Sequence, residues 1–420
     1  MFKRVTPTCP RIGYRHLSQR ALCLLSCGIL ATVVFAGCAS TCGCVDGGGG
    51  TGGVGANGIS AGGGGGVGGT VNASLDPPPA PPTSSLPRPS SSGSSPNLRV
   101  LPWAGFKAAL TYTFDDSQPS QMEHWPELKA TGVPMTFFLN PSANWQAGYD
   151  ANWSAIAAAG SELGNHTWSH CHADLSGCRP VGTQTDEIDL ATTYIVSHLG
   201  GSAVYSFAAP FGDSGWIAFA APRFLLGRGV MSGLVAASGV SDWYNLPVFQ
   251  VAAGQTATDF NAGIDSARSQ GRWSIFVYHS ILPTTNNWYA GVEIADITAS
   301  LAYAKSLGDV WVDSFTAVGA YARAQQMFEK VTPDGNTWTW TLPNHFPPGK
   351  VLRMTVDGGR LSQGGTALVW DSHGYYQVAL DAKSLTWHAW PGTATRSRLH
   401  DCRCSARLSR TELARELVQR

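Results

Sequence analysis

The sequence predicts an α/β fold in which parallel strands form a sheet or a barrel, followed by a small C-terminal all-β module. Runs typical of strands alternate with runs typical of helices from about residue 100 to about residue 328. After about residue 331 the helix-like runs stop, and apolar residues alternate with polar ones at a period of two. Strands that alternate with helices are typical of a parallel sheet, and the period of two is typical of half-buried strands.

The α/β domain is expected over residues 100–330. Its first strand is predicted for Ala108–Phe114, an apolar and β-prone run that ends at Asp115 and Asp116. A helix is expected over residues 118–131, ending before Gly132 and kinked at Pro126. Further strands are expected over residues 133–139, 274–278 and 310–312, and further helices over residues 154–159, 186–199 and 295–306. In such folds, polar residues at the carboxyl ends of the strands line the functional site.

The all-β module is expected over residues 331–393, with strands over residues 337–342, 351–356, 367–370 and 375–380. It is rich in aromatic residues for its size, namely Trp338, Trp340, Trp370, Tyr375, Tyr376, Trp387 and Trp390. These side chains either supply the core of the module or form a face on which sugars stack. The core interpretation is favoured.

The composition supports a globular protein and excludes one class of partner. Apolar residues make up 43% of the 420 residues, so a sizeable core is feasible. Lys and Arg together number 28, as do Asp and Glu together, so the formal net charge is zero. Because binding to phosphates requires a basic excess or patch, we expect no nucleic-acid partner.

Residues 1–99 are expected to export and tether the protein. Residues 1–37 combine a basic start with an apolar run, as signal peptides do, and Cys38 follows small residues that resemble the lipobox of bacterial lipoproteins. A lipid on Cys38 is therefore expected to tether the chain to a membrane, and an uncleaved anchor is the alternative. Residues 38–99 are rich in Gly, Pro and Ser and predict a disordered linker. Either way, most of the protein is expected outside the cytoplasm. Residues 394–420 form an Arg-rich tail without an assigned function.

Two of the 10 cysteines, Cys171 and Cys178, fall inside the α/β domain. In an oxidising compartment a pair this close in sequence is expected to form a loop disulfide. Zinc ligation by these thiols is the weaker alternative, because the spacing is not that of a CxxC knuckle and no second pair lies nearby.

Four segments carry residues suited to hydrolytic chemistry: Asp115-Asp116, His166 to His170, Ala209-Pro210-Phe211-Gly212, and Val277-Tyr278-His279. Two histidines four apart are expected on one face of a helical turn, so that both imidazoles meet one ion. A carboxylate from a nearby strand end would complete three ligands and leave an open position for the attacking water. The second aspartate would accept a proton from that water, and His279 would protonate the leaving amine.

Each of these elements has a simpler explanation when taken alone. An HxxxH pair occurs by chance in many helices, a lone histidine is more often structural than catalytic, and two adjacent aspartates are usually a solvated turn or a cap. Their joint order at the strand ends of one α/β pattern favours a functional site. His172 is expected to be a loop residue, because two positions beyond His170 it points away from the same face.

These segments resemble the polysaccharide deacetylase (NodB-homology) family, also called carbohydrate esterase family 4. The resemblance covers roughly residues 103–325. It implies a distorted (β/α) barrel of the NodB type, often with seven strands, and a divalent metal, usually Zn²⁺, held by one Asp and two His. Carried over residue by residue, it implies the general base, the three metal ligands and the catalytic acid, which are Asp115, then Asp116, His166 and His170, then His279.

Further assignments follow from the resemblance. The backbone N–H of Phe211, which follows Pro210, matches a donor that binds the oxyanion. Asp242 resembles the residue that tunes the catalytic histidine, and Trp243 resembles a wall of the acetyl pocket.

The chain departs from the family pattern at Ala208, where the family carries an arginine that pairs with the catalytic aspartate. Without that arginine, Asp115 would lose a charge-assisted hydrogen bond worth about 1.5–3 kcal/mol. Either another cation compensates, with Arg223, Arg228 and Arg272 nearby in sequence, or the domain has low or altered activity.

The expected function is a metal-dependent hydrolase that removes N-acetyl or O-acetyl groups from a polysaccharide such as chitin oligomers or peptidoglycan. The alternatives are a non-catalytic or weakly active glycan-binding protein of the same fold and an acetylxylan esterase. The expected partner is a polysaccharide or oligosaccharide, and the expected state is a monomer. The sequence contains no P-loop, dinucleotide fingerprint or GxSxG elbow, so nucleotide-binding and serine-hydrolase functions lack support.

Overall fold

The computed structural model describes residues 78–82, 88–90, 96–143, 147–200 and 203–390. The expected signal segment, most of the expected linker and the tail over residues 394–420 lie outside the described residues. Among the described residues, no helix has both the length and the apolar character needed to cross a membrane.

The strands, in chain order, are β1 (Arg99–Val100), β2 (Ala108–Phe114), β3 (Thr136–Leu139), β4 (Glu162–Asn165), β5 (Ser206–Ala208), β6 (Leu226–Ser232), β7 (Leu246–Gln250), β8 (Trp273–Tyr278), β9 (Ile281–Leu282), β10 (Val292–Glu293), β11 (Val310–Val312), β12 (Thr337–Thr339), β13 (Val351–Thr355), β14 (Arg360–Gln363), β15 (Thr366–Ala367), β16 (Trp370–Asp371), β17 (Tyr375–Ala379) and β18 (Ser384–His388). The α-helices are α1 (Pro119–Glu123), α2 (Trp125–Ala130), α3 (Asp150–Ala158), α4 (Gln184–His198), α5 (Ile217–Ala220), α6 (Ala257–Gln270), α7 (Ile294–Ser306) and α8 (Phe315–Phe328).

The parallel strands β2 to β8 close into a barrel, because β2 pairs with both β3 and β8. β11 lies beside the first half of β2, at Ala108 to Leu110, and β3 pairs only with the end of β2, at Thr113 and Phe114. One edge of β2 is thus shared between two neighbours. The expected distorted (β/α) barrel is confirmed, and this sharing describes its distortion.

Residues along β2 alternate between two hydrophobic cores. Leu110, Tyr112 and Phe114 pack with the helices that surround the barrel, whereas Ala109 packs with residues of the barrel interior. This follows from the two-residue period of a strand. All seven residues of β2 are buried, as is typical of a parallel strand covered on both faces.

Helix α8 covers the end of the barrel at which the strands begin. Its Gly319 packs so closely on the first residue of β6, Leu226, that an added Cβ would lie 2.1 Å from Leu226 Cδ1. The backbone N–H of Thr316 donates to Glu162, the first residue of β4, at 2.8 Å. Among the described residues, α8 therefore covers the end where the strands begin and leaves the opposite rim, where the strands finish, for a ligand.

The C-terminal all-β module is also confirmed. It contains two four-stranded antiparallel sheets, ordered β1-β13-β17-β16 and β12-β18-β14-β15. Five of the seven aromatic residues named from the sequence are buried, so those five do not form a sugar-stacking face; they are Trp338, Trp340, Tyr375, Tyr376 and Trp387. Trp370 packs edge-on against Tyr376, with ring centroids 5.0 Å apart.

Several expected elements differ from the observed ones for local reasons. The helix expected over residues 118–131 is divided at His124 into α1 and α2, since Pro126 has no N–H to donate to Met122 and its ring crowds that carbonyl. The strand expected over residues 367–370 is replaced by two short strands, β15 and β16. The strands expected at Ala108–Phe114 and Val310–Val312 have the expected bounds.

Candidate active site

The carboxyl ends of the barrel strands bring together polar residues that are far apart in the sequence. Asp115 and Asp116 follow β2, His166 follows β4, Phe211 lies after β5, and His279 follows β8. Because these strands are parallel, their ends meet at one rim. The residues line a cavity of about 420 Å³. Ligand pockets usually measure about 300–1,000 Å³, so the cavity is large enough to hold part of a sugar.

Asp116, His166 and His170 offer three ligand atoms that all lie within 4.8 Å of one another. Asp116 Oδ1 is 3.3 Å from His166 Nε2 and 3.2 Å from His170 Nε2. This oxygen is buried and has no hydrogen-bond partner among the described residues. A buried carboxylate oxygen between two imidazole nitrogens is a donor set that fits a divalent metal such as zinc.

The two histidines converge through a loop and not through a helical turn. Thr167 and His170 have positive φ angles, 61° and 53°, so the backbone after β4 is not helical. Side-chain oxygens hold this loop: Asn165 Oδ1 accepts from Thr167 N–H at 2.8 Å, and Thr167 Oγ1 accepts from His170 N–H at 3.0 Å. The expected helical turn was therefore wrong, although both imidazoles do face one shared position.

The surroundings of Asp116 and His170 favour the protonation states in which these two residues can bind a metal. Burial alone would raise the pKa of Asp116, but His166 and the other imidazoles outweigh it, and the pKa is lowered well below its usual range. Burial lowers the pKa of His170 to about 4, and the neighbouring His166 adds to the effect. At neutral pH Asp116 is therefore ionised and His170 is neutral, as metal ligation requires.

His166 experiences a different balance. Burial would lower its pKa, but the carboxylates of Asp115 and Asp116 raise it overall. Its Nδ1 lies 2.8 Å from the backbone oxygen of Ala208, so its Nε2 is the nitrogen that faces Asp116. A backbone carbonyl in this position orients a ligating imidazole and fixes its tautomer.

Asp115 is buried and paired with a cation. Arg228 Nη2 donates a hydrogen bond to Asp115 Oδ1, and Asp115 Oδ2 lies 3.9 Å from His166 Nε2. Of the two outcomes considered for the missing arginine at position 208, the structure therefore supplies a compensating cation. Arg223, another candidate, pairs with Asp189 instead.

His279 faces the cluster from the end of β8, with its Nε2 3.9 Å from Asp116 Oδ2. Gln121 Nε2 donates to the backbone oxygens of both Asp115, at 2.6 Å, and His279, at 3.1 Å, and so links the two strand ends. Burial lowers the pKa of His279, and the two aspartates offset only part of that effect.

Asp242 and Trp243 do not lie at this cavity. They belong to the loop between β6 and β7, where the backbone oxygen of Trp243 accepts from Gly227 N–H at 2.8 Å. Gly227 is near the start of β6, so this loop segment lies toward the end of the barrel opposite the site. Asp242 is exposed and accepts from Tyr244 N–H at 2.8 Å. Their positions do not fit the roles that the resemblance implied for them, tuning His279 and lining an acetyl pocket.

Pro210 and Phe211 form the turn after β5. Pro210 is buried, while Phe211 has a φ of 56° and is half-exposed. The Phe211 ring stacks on His172, with centroids 4.1 Å apart, and lies edge-on to His170 at 4.5 Å. Phe211 therefore forms a wall of the cavity beside His170, and His172 packs on the Phe211 ring from outside the Asp116, His166 and His170 cluster.

A disulfide joins Cys171 to Cys178, with Cα atoms 5.0 Å apart. Cys171 directly follows His170 in the chain and is buried, and its backbone oxygen accepts from Trp216 Nε1 at 3.1 Å. The segment that carries His170 is thus fixed covalently just beyond the ligand.

Four further residues complete the site. Val230, Gln250 and Tyr289 were not predicted from the sequence, and Arg228 was predicted only as one of three candidate cations for Asp115. Three of the four lie on β6 and β7, two strands that were not predicted either. The signal for Tyr289 was its neighbour Trp288, since two consecutive aromatic residues in a polar loop after His279 suggest a binding surface.

Residues 106–218 match the family model described as polysaccharide deacetylase. The match confirms the resemblance and, at the level of the family, the expected enzyme class, a deacetylase-type hydrolase. It covers Asp115, Asp116, His166 and His170, and it ends before Arg228 and His279. No curated protein matches the chain.

Solved structures with similar folds include the Xyl-CE4 domain of a multidomain xylanase from the hindgut metagenome of Trinervitermes trinervoides, with 14% identity, a TM-score of 0.35, and coverage of 50% of this chain and 89% of that chain. The family 4 carbohydrate esterase from Streptomyces lividans has 17% identity, a TM-score of 0.33, and coverage of 49% and 92%. A polysaccharide deacetylase from Bacillus cereus has 16% identity, a TM-score of 0.34, and coverage of 50% and 92%. These low values leave the functional argument to the residues of this chain.

Proposed function

We propose that this chain, whose residues 106–218 match the polysaccharide deacetylase family, is a metal-dependent hydrolase that removes N-acetyl groups from a polysaccharide. The observation that carries the proposal is the convergence of Asp116, His166 and His170 within 4.8 Å, with Asp115 and His279 beside them. Three ligands with an adjacent carboxylate and an adjacent imidazole are the groups that metal-assisted hydrolysis requires.

Asp116, His166 and His170 are the proposed ligands, and Zn²⁺ is the divalent metal that best suits one carboxylate and two imidazoles. When bound there, such a metal polarises the acetyl carbonyl and lowers the pKa of a bound water. The chain itself prepares the ligands, because burial keeps His170 neutral and the Ala208 carbonyl orients His166.

Asp115 is the proposed general base. Arg228 occupies its Oδ1, while its Oδ2 faces the ligand cluster, 3.9 Å from His166 Nε2. A carboxylate held in this way presents one oxygen to the attacking water and can accept its proton as the water adds to the acetyl carbon.

His279 is the proposed acid, on the other side of Asp116. It donates a proton to the departing nitrogen as the carbon–nitrogen bond breaks, so that the products are acetate and a free amine on the sugar. The backbone N–H of Phe211, in the turn after β5, is the proposed donor to the oxyanion that forms on the acetyl oxygen.

The surroundings of the cavity support a sugar polymer as the substrate. Phe211 and Tyr289 line the cavity and are 51% and 54% exposed, and Trp288 next to Tyr289 is 63% exposed. Exposed aromatic side chains around a polar pocket are typical of a binding site, and their flat faces suit the apolar faces of pyranose rings.

We further propose that the protein acts outside the cytoplasm as a monomer, secreted or tethered by a lipid on Cys38. The disulfide between Cys171 and Cys178 supports an oxidising compartment.

The test is acetate release by the zinc-loaded full chain from a panel of chitin oligomers, peptidoglycan and acetylxylan. We expect release from an N-acetylated polymer, and we expect Asp116→Ala to abolish it. Asp334→Ala, the same change in an exposed turn of the module, is the control that keeps activity.

Each contrary result identifies an alternative. Release that persists in Asp116→Ala rejects the metal assignment. Glycan binding by the wild type without any acetate release supports the non-catalytic alternative, and preference for acetylxylan supports the esterase.

A further inference from the structure

Arg228 is a fully buried cation that pairs with Asp115 of the candidate site. Its side chain has 0% exposure, and among the described residues Asp115 is the one carboxylate within ion-pair distance of it. A guanidinium without an acidic partner is strongly disfavoured in a protein interior. The negative charge of Asp115 therefore offsets the cost of burying the positive charge of Arg228, and Arg228 does the same for Asp115.

Among the contacts of Arg228, the hydrogen bond to Asp115 is the one that orients its guanidinium group. The guanidinium carbon lies 4.7 Å from the centroid of the Phe138 ring, which covers one side of it. Phe138 can lie there because residue 164 is glycine, where an added Cβ would be 2.5 Å from the ring. Nε and Nη1 of Arg228 have no hydrogen-bond partner among the described residues, so Nη2, which donates to Asp115, makes the directional contact.

The local sequence of β6 is built around this arginine. Arg228 lies between Gly227 and Gly229, and a Cβ at either glycine would meet neighbouring atoms, Phe207 O and Tyr244 O at 3.1 Å for Gly227 and Asn245 Oδ1 at 2.2 Å for Gly229. Side chains along a strand alternate in direction, so Arg228 points into the barrel and the two glycines face outward. Because they have no side chain, neighbouring atoms can pack directly against the outer face of β6.

Ala208 is the register partner of Arg228 on the adjacent parallel strand β5. Ala208 is buried and belongs to the same interior core as Phe138 and Leu226. Neighbouring parallel strands lie about 4.8 Å apart, so side chains at paired positions point side by side into the same space. A guanidinium carried at either position reaches the same region, and the small side chain at 208 leaves that region to Arg228.

We propose that Arg228 is a positioning residue for the deacetylation reaction, holding Asp115 from β6 in place of a cation that would otherwise come from position 208 on β5. By taking Asp115 Oδ1, it turns Oδ2 toward the ligand cluster and fixes the base where the attacking water adds. The inference rests on the proposed function. According to this inference, the cation that holds Asp115 comes from β6, which lies beyond residues 106–218. The site therefore does not need an arginine at position 208.

The test compares four forms of the zinc-loaded full chain: wild type, Arg228→Ala, the transposed variant Arg228→Ala with Ala208→Arg, and the control Arg223→Ala, which breaks an ion pair outside the site. We expect Arg228→Ala to lower kcat for acetate release about 10- to 150-fold, the usual worth of one charge-assisted hydrogen bond. KM and zinc content should stay near wild type, because Arg228 is neither one of the residues that line the cavity nor one of the three proposed ligands. The transposed variant should recover most of the lost kcat, and Arg223→Ala should match wild type.

A fifth form, Arg228→Ala with Ala208→Met, is the matched control, because Met at position 208 reaches the same region without a charge. Recovery by Ala208→Arg but not by Ala208→Met separates positioning of Asp115 from packing. If Arg228→Ala does not fold, Arg228→Met, which keeps length without charge, takes its place. Two results overturn this inference alone. In one, the wild type is active and the Arg228 variants keep its kcat. In the other, the transposed variant folds and binds zinc, but its kcat is no higher than that of Arg228→Ala. A wild type that releases no acetate from any substrate overturns the proposed function and, with it, this inference.

Discussion

The ring of Tyr289 stands edge-on against the imidazole of His279, with centroids 4.7 Å apart and planes at 80°. Tyr289 is 54% exposed and lines the same cavity as the ligand cluster. One side chain therefore contacts the proposed acid and also borders the space that a sugar would occupy. This dual position predicts that Tyr289 contributes to substrate binding more than to the chemical step.

Tyr289→Ala should raise KM for N-acetylglucosamine oligomers about 2- to 10-fold, because one aromatic contact is lost while the proton-transfer groups remain. Steady-state kinetics on an oligomer and on a small acetyl ester would check this, and the ester should be affected less. Tyr289→Phe, which keeps the ring, should bind normally, as should Val369→Ala, a change of an exposed apolar residue in the module. Equal losses on both substrates would contradict sugar stacking.

Zinc should stabilise the folded chain through the proposed ligands. At a free zinc concentration 100 times the dissociation constant, binding adds about 2.7 kcal/mol to the free energy of unfolding. Denaturant unfolding with and without zinc should show this gain in wild type and a much smaller one in His170→Ala. His345→Ala, which removes an exposed histidine far along the chain, should keep the full response. The same gain in His170→Ala would remove His170 from the ligand set.

Asp242→Ala should leave acetate release within about 2-fold of wild type, because distant sites without shared partners seldom couple. The loop that carries Asp242 lies toward the amino-terminal end of the barrel, whereas the ligand cluster lies at the carboxyl end. Comparing kcat and KM of this variant with wild type tests the placement. A large fall in kcat would restore the role that the family resemblance implied.

Asp313 should make the stability of the protein fall as the pH rises. Burial raises its pKa to about 6, and hydrogen bonds from Ser314 N–H and Trp311 Nε1 only partly offset the increase. The unfolded chain has the ordinary value of about 3.9, so between about pH 4 and 6 the folded state binds more protons, and ionisation of Asp313 removes stability as the pH rises.

Asp313→Asn stays neutral and should not show this decrease. Its free energy of unfolding relative to wild type should therefore increase by up to about 3 kcal/mol from pH 4 to pH 7. Any hydrogen bond lost with the amide shifts this difference equally at all pH values. Urea unfolding of both proteins across this range would measure it, and a constant difference would show that the pKa of Asp313 is not raised.

That Asp116, His166 and His170 lie together was predictable, but the way the chain brings them together was not. Asp116, His166 and His170 follow from residue type and strand position. The loop conformation of residues 166–170 depends on side-chain oxygens of Asn165 and Thr167 that accept hydrogen bonds from backbone N–H groups. The spacing of the two histidines alone does not distinguish this loop from a helical turn. The bounds of β2 were predictable because its β-prone run of apolar residues and threonines lies between the charged residues Lys107 and Asp115.

Arg228, Asp242 and Trp243 show why the rest was not predictable. Pairing of Arg228 with Asp115 depends on the register of β5 against β6, which no local pattern encodes. The path of the loop after β6 decides which end of the barrel Asp242 and Trp243 reach, and that path depends on contacts with Gly227 and Arg323. Motif spacing predicted the residues of single segments, and strand pairing determined which segments meet.

Strand β1 belongs to the sheet of the C-terminal module, although it precedes the barrel in the chain. Arg99, in β1, pairs with Asp357, and the two are 258 residues apart in sequence. During synthesis from the N-terminus, β1 must therefore wait until nearly the whole folded region has emerged before it finds β13. Truncation after α8 would leave β1 without its partner strand and uncover the side of α8 that packs on β13, so the barrel and the module are expected to mature as one unit.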